Sequence, residues 1–433
     1  MAPRRLDPAG QSAIVPSVTE TLELQPWMTA PPTQAVLEAL EARGGEGCAR
    51  FVGGCVRNAV LGRAIDDIDI ATVLTPDDAA AALEARGIRV VPTGVEHGTV
   101  TAIADHQPFE ITTLRRDVST DGRRAVVAFS TDWAEDAQRR DFRLNALYLD
   151  REGRLYDPTG EGVADARAGR IVFVGDPMVR IREDYLRILR FFRFYAWFGR
   201  GEPDAAAVDA CRALKGMLSA RSAERTQKEM LKLLAASDPR PALKLMAGAG
   251  VLAAVLPDVK DLGRLEGLVQ IDLGLGEADA ELRLAALIPQ DRRTAEQLSE
   301  RLRLSNAQRE RLVAAVGSEP PIVSWMSPRQ LRRAVYRLGQ RTFFDRLKLA
   351  WAGSKDRKAA AGQWAGLVKL ARGWTPPVFP VNGEDAKAAG VAEGPLIGQV
   401  LREVEDWWID EDFPEGRDLV LERLKAVARG VGA

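Results

Sequence analysis

Gly53-Gly54-Cys55-Val56-Arg57-Asn58-Ala59-Val60-Leu61-Gly62-Arg63-Ala64-Ile65-Asp66-Asp67-Ile68-Asp69-Ile70-Ala71-Thr72 is the stretch around which the chain is organised. Ala49 to Val52 precedes it as a short, mostly apolar run that stops at two glycines. A helical spacing follows through Val56, Val60 and Leu61, and Gly62 ends it. Asp67-Ile68-Asp69-Ile70 then alternates acid and aliphatic, the period of a half-buried strand. The stretch therefore reads strand, glycine turn, helix, strand, with Asp67 and Asp69 on one face and Ile68 and Ile70 turned to a core.

Two carboxylates on one strand face, beside a glycine turn at a helix start, suit metal-dependent phosphate chemistry. Gly53 and Gly54 let the backbone come close to a triphosphate, and a helix N-terminus offers unpaired N–H groups. Arg57, in the first turn, reaches for the same anion. Asp67 and Asp69 would hold Mg²⁺, a hard cation that prefers oxygen. Two such ions about 4 Å apart clamp the attacking and leaving oxygens of an in-line displacement. The competing reading is a hairpin edge with solvated aspartates.

The stretch resembles the signature of the class II tRNA nucleotidyltransferase and bacterial poly(A) polymerase family, Gly-Gly-x-Val-Arg-Asp followed by Asp-x-Asp. Asn58 departs from it, standing where the family has Asp, and a local hydrogen-bonding role is expected there.

Further along, Phe109 to Leu114 alternates as Phe-Glu-Ile-Thr-Thr-Leu. The resemblance makes its Glu110 a third, catalytic carboxylate beside Asp67 and Asp69, placed to orient or deprotonate an RNA 3′ hydroxyl; the plain alternative is a solvated strand glutamate. His97 reads as a turn or packing residue. Arg115 to Ser130, polar and with an Asp121-Gly122 turn signal, resembles the flexible loop of CCA-adding enzymes or is simply a hairpin connection. In Arg139-Arg140-Asp141-Phe142-Arg143-Leu144-Asn145-Ala146 the resemblance makes Arg140 a nucleotide contact, and Arg143 replaces the more usual Thr.

Beyond Pro177 the pattern is almost wholly helical. In Arg182 to Phe194, Asp184, Arg187, Arg190 and Arg193 recur every three residues, which predicts a slowly winding stripe on one helix. The other positions are mostly large and apolar, so these arginines need partners. Asp184 would satisfy one, and a base with its phosphates the rest. The stretch resembles the family's Glu-Asp-x-x-Arg motif. That likeness implies that Asp184 and Arg187 read the Watson–Crick edge of the incoming base, with Arg190 and Arg193 lining the same site. An internal salt-bridge ladder is the alternative. Arg329 to Lys358 gathers basic residues around Trp325, Tyr336 and Trp351, which suits an RNA backbone with a stacking surface.

At 433 residues the chain exceeds one core and suggests roughly two to four domains. A net charge of −1 rules out a molecule-wide RNA sponge and leaves a local basic patch. Three cysteines without Cys-x-x-Cys argue for a reduced compartment without structural zinc, and two histidines argue against a multi-His metal site. No apolar run reaches membrane length, and no apolar signal core follows Arg4 and Arg5, so no membrane and a cytoplasmic location are expected.

The expected architecture is α+β. The resemblance implies a small nucleotidyltransferase-like mixed-sheet head followed by an all-helical neck, body and tail. In residue terms this is a loose lead-in over 1–30, the head over 31–165, a neck with the nucleotide-selecting helix over 166–240, a body over 241–320 and a tRNA-contacting tail over 321–433. The activity it implies is Mg²⁺-dependent transfer of CMP and AMP from CTP and ATP to the 3′ hydroxyl of tRNA. The binding set is Gly54, Arg57, Arg140, Asp184, Arg187, Arg190 and Arg193. A poly(A) polymerase, a CC-only or A-only enzyme, and a non-catalytic RNA-binding protein are the alternatives; intact Asp67 and Asp69 argue against the last.

Overall fold

Among the described residues ten short strands, interspersed with helices, fall within the first 160 positions, and only helices are found after them. The computed structural model describes residues 17–95, 98–120, 125–220 and 222–431, so His97 lies outside the described residues. The chain divides into two units, 1–257 and 258–433.

The first unit is built on a mixed sheet. Its strands are β1 (Val18–Thr21), β2 (Ala49–Val52), β3 (Ile68–Thr72), β4 (Arg89–Gly94), β5 (Thr99–Ala104), β6 (Gln107–Thr113), β9 (Tyr148–Leu149) and β10 (Arg154–Tyr156). Between β6 and β9, β7 (Arg115–Thr120) and β8 (Ala125–Phe129) form a separate antiparallel pair, so the stretch likened to a flexible loop carries the hairpin of its alternative reading. The sheet order is β1-β10-β9-β2-β3-β6-β5-β4. β3 and β6 run parallel, and their neighbours are antiparallel.

Alternation gives the sheet two unlike faces. One face carries Phe51, Ile68, Ile70, Val100, Ala102, Phe109 and Ile111, and packs on Val36, Leu37 and Leu40 of the Pro31–Gly44 helix and Ala79 and Leu83 of the Pro76–Glu84 helix. On the other face, Val52, Ala71 and Tyr148 are covered by Trp133 and Ala137 of the Trp133–Gln138 helix. Further along that face stand Asp69, Glu110, Thr99, Thr101 and Thr112, half-buried or exposed.

Residues 18–29 are not a loose lead-in. β1 pairs with β10, and Met28 is buried. Trp27 docks on the core, its ring 4.6 Å from that of Phe51, as its apolar area demands. The helices Arg240–Gly248 and Val251–Val255 fall in the first unit, so the break after Pro257 lies beyond the expected neck boundary at 240.

The second unit is all helical, with one core around Leu331, Phe343 and Trp364 and another around Val400, Trp408 and Leu424. Several basic residues expected to face RNA have internal partners. Arg332, Arg333 and Arg337 pair with Asp412, Asp410 and Asp406, and Lys348 pairs with Glu277. Tyr336 donates to Glu405, and Trp351 stacks on Trp364. These aromatics are therefore packing residues, whereas Trp325 is 73% exposed. Among the described residues no helix is long and apolar enough to cross a membrane.

Candidate active site

The site begins at a backbone bend. Gly53 has φ 72° and ψ −119°, a region closed to side chains with a Cβ. The bend turns β2 into the Gly54–Val60 helix. A Cβ at Gly53 would lie 3.8 Å from Arg140 Nη1 and 4.0 Å from Asp69 Oδ2, so this turn borders both a cation and a carboxylate.

The carboxylates come together through strand register. Asp69 is opposite Glu110 in the parallel β3–β6 pair, on the same face, and Asp67 immediately precedes β3. Asp69 is half-buried; Asp67 and Glu110 are exposed. Burial, then the charges of Glu110 and Asp67, push the Asp69 carboxyl up to about 6, and Arg140 opposes the shift only in part. The three acids thus form one electrostatic group. Among the described residues no set of three or more His, Cys, Asp or Glu closes on a ready-made metal centre. The donors here are carboxylate oxygens at the mouth of an open face, a set that suits a cation sharing its coordination with a substrate.

Arg140 is fixed from behind. Its Nε and Nη2 donate to Asp136 Oδ2 at 3.1 and 2.8 Å, and Tyr148 Oη donates to the same oxygen at 2.7 Å. Arg139 Nε donates to Asp136 Oδ1 at 2.8 Å. Burial of Asp136 opposes its ionisation, yet the charges of Arg140 and Arg139 and the Tyr148 hydroxyl bring its carboxyl down to about 2. This leaves Arg140 Nη1 on the side of the glycine turn.

Arg57 is held differently. It is buried, lies 4.0 Å over the Phe198 ring, and donates to Asn145 Oδ1 at 2.7 Å and to Asn58 Oδ1 at 3.0 Å. Asn58 in turn donates to the Ala64 carbonyl at 2.8 Å, which is the local hydrogen-bonding role expected of it. Both partners of Arg57 are neutral amides. Burial first, then the nearby Arg193 charge, lower its pKa to about 10. Gly54 sits beside it: a Cβ there would be 3.9 Å from Arg57 Nη2.

The expected arginine stripe is interrupted. The first helix, Pro177–Glu183, ends at Asp184, which is extended at φ −148° and ψ 107°. Asp184 Oδ1 accepts the Leu186 N–H at 3.1 Å, a side-chain turn that competes with helix continuation. A new helix spans Arg187–Phe198 and carries Arg187, Arg190 and Arg193. Asp184 therefore does not share a helix with Arg187, and its carboxylate pairs with Arg225 at 2.7 Å. Arg187 is held by Asp141 at 2.7 Å and by Glu183, Arg190 by Asp141, and Arg193 by Glu229 at 2.7 Å.

Sequence reading alone missed Asp136, Asp141, Glu183, Tyr148, Asn145 and Glu229 as the partners that fix these arginines. Asp141 was the most legible of them, since it directly follows the Arg-Arg pair. A separate cavity of about 850 Å³ in the second unit is lined by Lys260, Arg264, Lys355 and Arg357, the last two from the basic stretch expected to meet RNA, and gathers none of the residues expected to bind nucleotide or metal.

The family "Poly A polymerase head domain" matches residues 49–172, and "Probable RNA and SrmB- binding site of polymerase A" matches 202–262. The mitochondrial CCA tRNA nucleotidyltransferase 1 of Danio rerio is 32% identical over 382 residues, 87% of this chain and 86% of that protein. The CCA-adding enzyme of Streptococcus gordonii is 33% identical over 90% of this chain and 96% of its own length. The chain belongs to the CCA-adding enzyme and poly(A) polymerase family. Its fold is that of the Bacillus stearothermophilus CCA-adding enzyme, solved in complex with CTP, with a TM-score of 0.72, 26% identity, and coverage of 94% of this chain and 100% of that one. The family's head-domain match spans Gly53, Asp67, Asp69, Glu110 and Arg140 together.

Proposed function

We propose that this chain is a CCA tRNA nucleotidyltransferase, transferring CMP and AMP from CTP and ATP to the 3′ hydroxyl of tRNA. The observation that carries the reading is the convergence of Asp67, Asp69 and Glu110 beside the Gly53–Gly54 turn and Arg140. A non-catalytic RNA-binding protein has no need of two further acids set against Asp69 at a cost to its ionisation.

In the transfer, the RNA 3′ oxygen bonds to the α-phosphorus while the bond from that phosphorus to the bridging oxygen breaks, releasing pyrophosphate. Glu110, on the open side of Asp69, orients the 3′ hydroxyl and receives its proton. Gly53 and Gly54 admit the triphosphate against the backbone, where Arg57 and Arg140 supply positive charge. Asp67 and Asp69 would hold a divalent cation, Mg²⁺ in this reading, because two carboxylates at the mouth of an open face supply the hard oxygen donors that this ion prefers. When bound, the ion neutralises charge on the phosphates and the leaving group. The protein's own share is positioning and charge complementarity set in advance.

Arg187 and Asp184 remain the residues proposed to read the base, with Arg190 and Arg193 beside them. Asp141 and Glu183 hold Arg187 in place, which leaves its planar donors fixed in direction. In this reading the protein works in the cytoplasm.

The test supplies tRNA lacking its last three nucleotides with CTP and ATP, together and singly, with and without chelator, and sequences the 3′ ends. Two C and one A followed by arrest, lost with chelator and restored by Mg²⁺, is the expected result. Long A runs from ATP alone on any RNA would favour a poly(A) polymerase, and arrest after two C the CC-only enzyme.

A further inference from the structure

The face that carries Asp69 and Glu110 does not end there. β5 and β4 continue it, and neither core helix of the first unit covers it: the Pro31–Gly44 and Pro76–Glu84 helices pack on the opposite face, and the Trp133–Gln138 helix on Val52, Ala71 and Tyr148. Thr101 stands opposite Glu110 on the antiparallel neighbour, and Thr99 opposite Thr112. The hydroxyls are paired across strands, Thr99 with Thr112 at 3.2 Å and Thr93 with Thr101 at 2.8 Å. Thr93 is exposed and the other three are half-buried. Strands lie about 4.8 Å apart, so Asp69, Glu110, Thr101 and Thr93 step outward from the carboxylates to the sheet edge.

We infer that this hydroxyl-lined face is the subsite for the 3′-terminal riboses of the RNA that is extended. The inference rests on the proposed transfer and follows from its direction. An in-line displacement places the attacking oxygen opposite the leaving group. The glycine turn and Arg140 lie on the β2 side of Asp69 and take the triphosphate, so the RNA end arrives from the β6 and β5 side. The chemistry there fits a ribose. In each threonine pair one hydroxyl donates to the other, leaving one O–H per pair free to donate and oxygen lone pairs free to accept. A 2′ hydroxyl, both donor and acceptor, uses both, and it is the group that separates RNA from DNA. No arginine or lysine of β5 or β6 shares this face, so the strip selects sugar and not phosphate charge.

The experiment compares the full chain with Thr101→Val and Thr112→Val, which keep the strand shape and remove one hydroxyl each. Substrates are tRNA lacking its CCA end and the same RNA with a single 2′-deoxy nucleotide at its 3′ terminus or one before it. Loss of one hydrogen bond raises KM for the RNA about fivefold, with KM for CTP unchanged. The penalty that wild type shows for the deoxy substrate should shrink or vanish in the matching variant. Unchanged RNA KM in both variants, or an undiminished deoxy penalty, overturns the inference. A fall in kcat alone also overturns it, because the threonines would then only shape the position of Glu110. If wild type extends no RNA, the proposed transfer itself fails. In that event equal RNA binding by wild type and both variants, measured by fluorescence anisotropy, overturns the ribose subsite as well.

Discussion

Replacing Asp136 by asparagine removes one buried charge and one acceptor oxygen with almost no change of shape, and it tests how the site's arginines are held. Asp136 is 1% exposed and receives Arg139, Arg140 and Tyr148. Its carboxyl is depressed from 3.8 to about 2. A depressed folded pKa means that the stabilisation is present above the unfolded pKa and is lost as pH falls through the folded one. The shift corresponds to roughly 2–3 kcal/mol at pH 7, falling by about half at pH 3. Asparagine still accepts from Arg140 through its one oxygen, but it turns an N–H group toward Arg139 Nε and the Arg115 N–H, so the loss reports the charge together with those two bonds.

Hydrogen exchange read by mass spectrometry on the full chain gives the local value, from peptides spanning 133–148. The Asp136→Asn variant should lose roughly 2–3 kcal/mol of protection there at pH 7. After correction for intrinsic exchange, the gap between wild type and variant should narrow by about half at pH 3. Equal protection at pH 7, or a gap that does not narrow on acidification, would refute the idea that Asp136 is an ionised anchor. Nucleotide incorporation should fall with it, since Arg140 loses the partner that aims its Nη1 at the glycine turn.

Asp69→Ala should abolish nucleotide incorporation by several orders of magnitude while circular dichroism stays unchanged; near-normal incorporation would remove the metal assignment. Arg187→Ala and Asp141→Ala should both raise use of UTP and GTP relative to CTP and ATP by roughly tenfold. A proportional fall for all four nucleotides in a competition assay would make that ion pair structural only. Asp184→Ala should free Arg225 from its ion pair without releasing Arg187, so in the same competition assay its loss of nucleotide preference should add to that of Arg187→Ala; a double variant no less selective than either single one would contradict the separation of the two residues.

The head was legible in the sequence because its signals are local and periodic. Alternation put Ile68 and Ile70 in the core and Asp69 on the open face, and two glycines marked the bend. Even the pairing of Asp69 with Glu110 had a trace, in the matching acid–aliphatic alternation of β3 and β6. What could not be read from spacing was which charge answers which. The three-residue recurrence of Asp184, Arg187, Arg190 and Arg193 looks like one stripe. A single side-chain hydrogen bond from Leu186 N–H to Asp184 breaks the helix and sends the acid to Arg225. The true partner of Arg187 and Arg190, Asp141, lies 46 residues from Arg187. Likewise the basic run from Arg329 looks like an RNA surface until the acids of 406–412 are seen opposite it. Periodicity reports which face a residue occupies, and long-range ion pairing leaves no period.

This distinction bears on how the site meets a nucleotide. Arg140, Arg187, Arg190 and Arg193 each face an internal carboxylate, so their charges are largely answered within the fold and their main contribution is direction. Arg57 is answered by Asn58 and Asn145, two neutral amides, and burial depresses its proton affinity. Across the glycine turn, Asp69 is pressed by Glu110 and Asp67 and holds its proton more tightly than usual. The turn is thus bordered by charges of opposite sign that the fold leaves poorly balanced, a guanidinium on one side and a carboxylate group on the other. A nucleoside triphosphate carrying a divalent cation presents the complementary pair, anion to Arg57 and cation to Asp67 and Asp69. Either component alone would answer only one of them, so in the proposed reading metal and triphosphate bind with positive coupling, each raising the affinity of the other by the same factor.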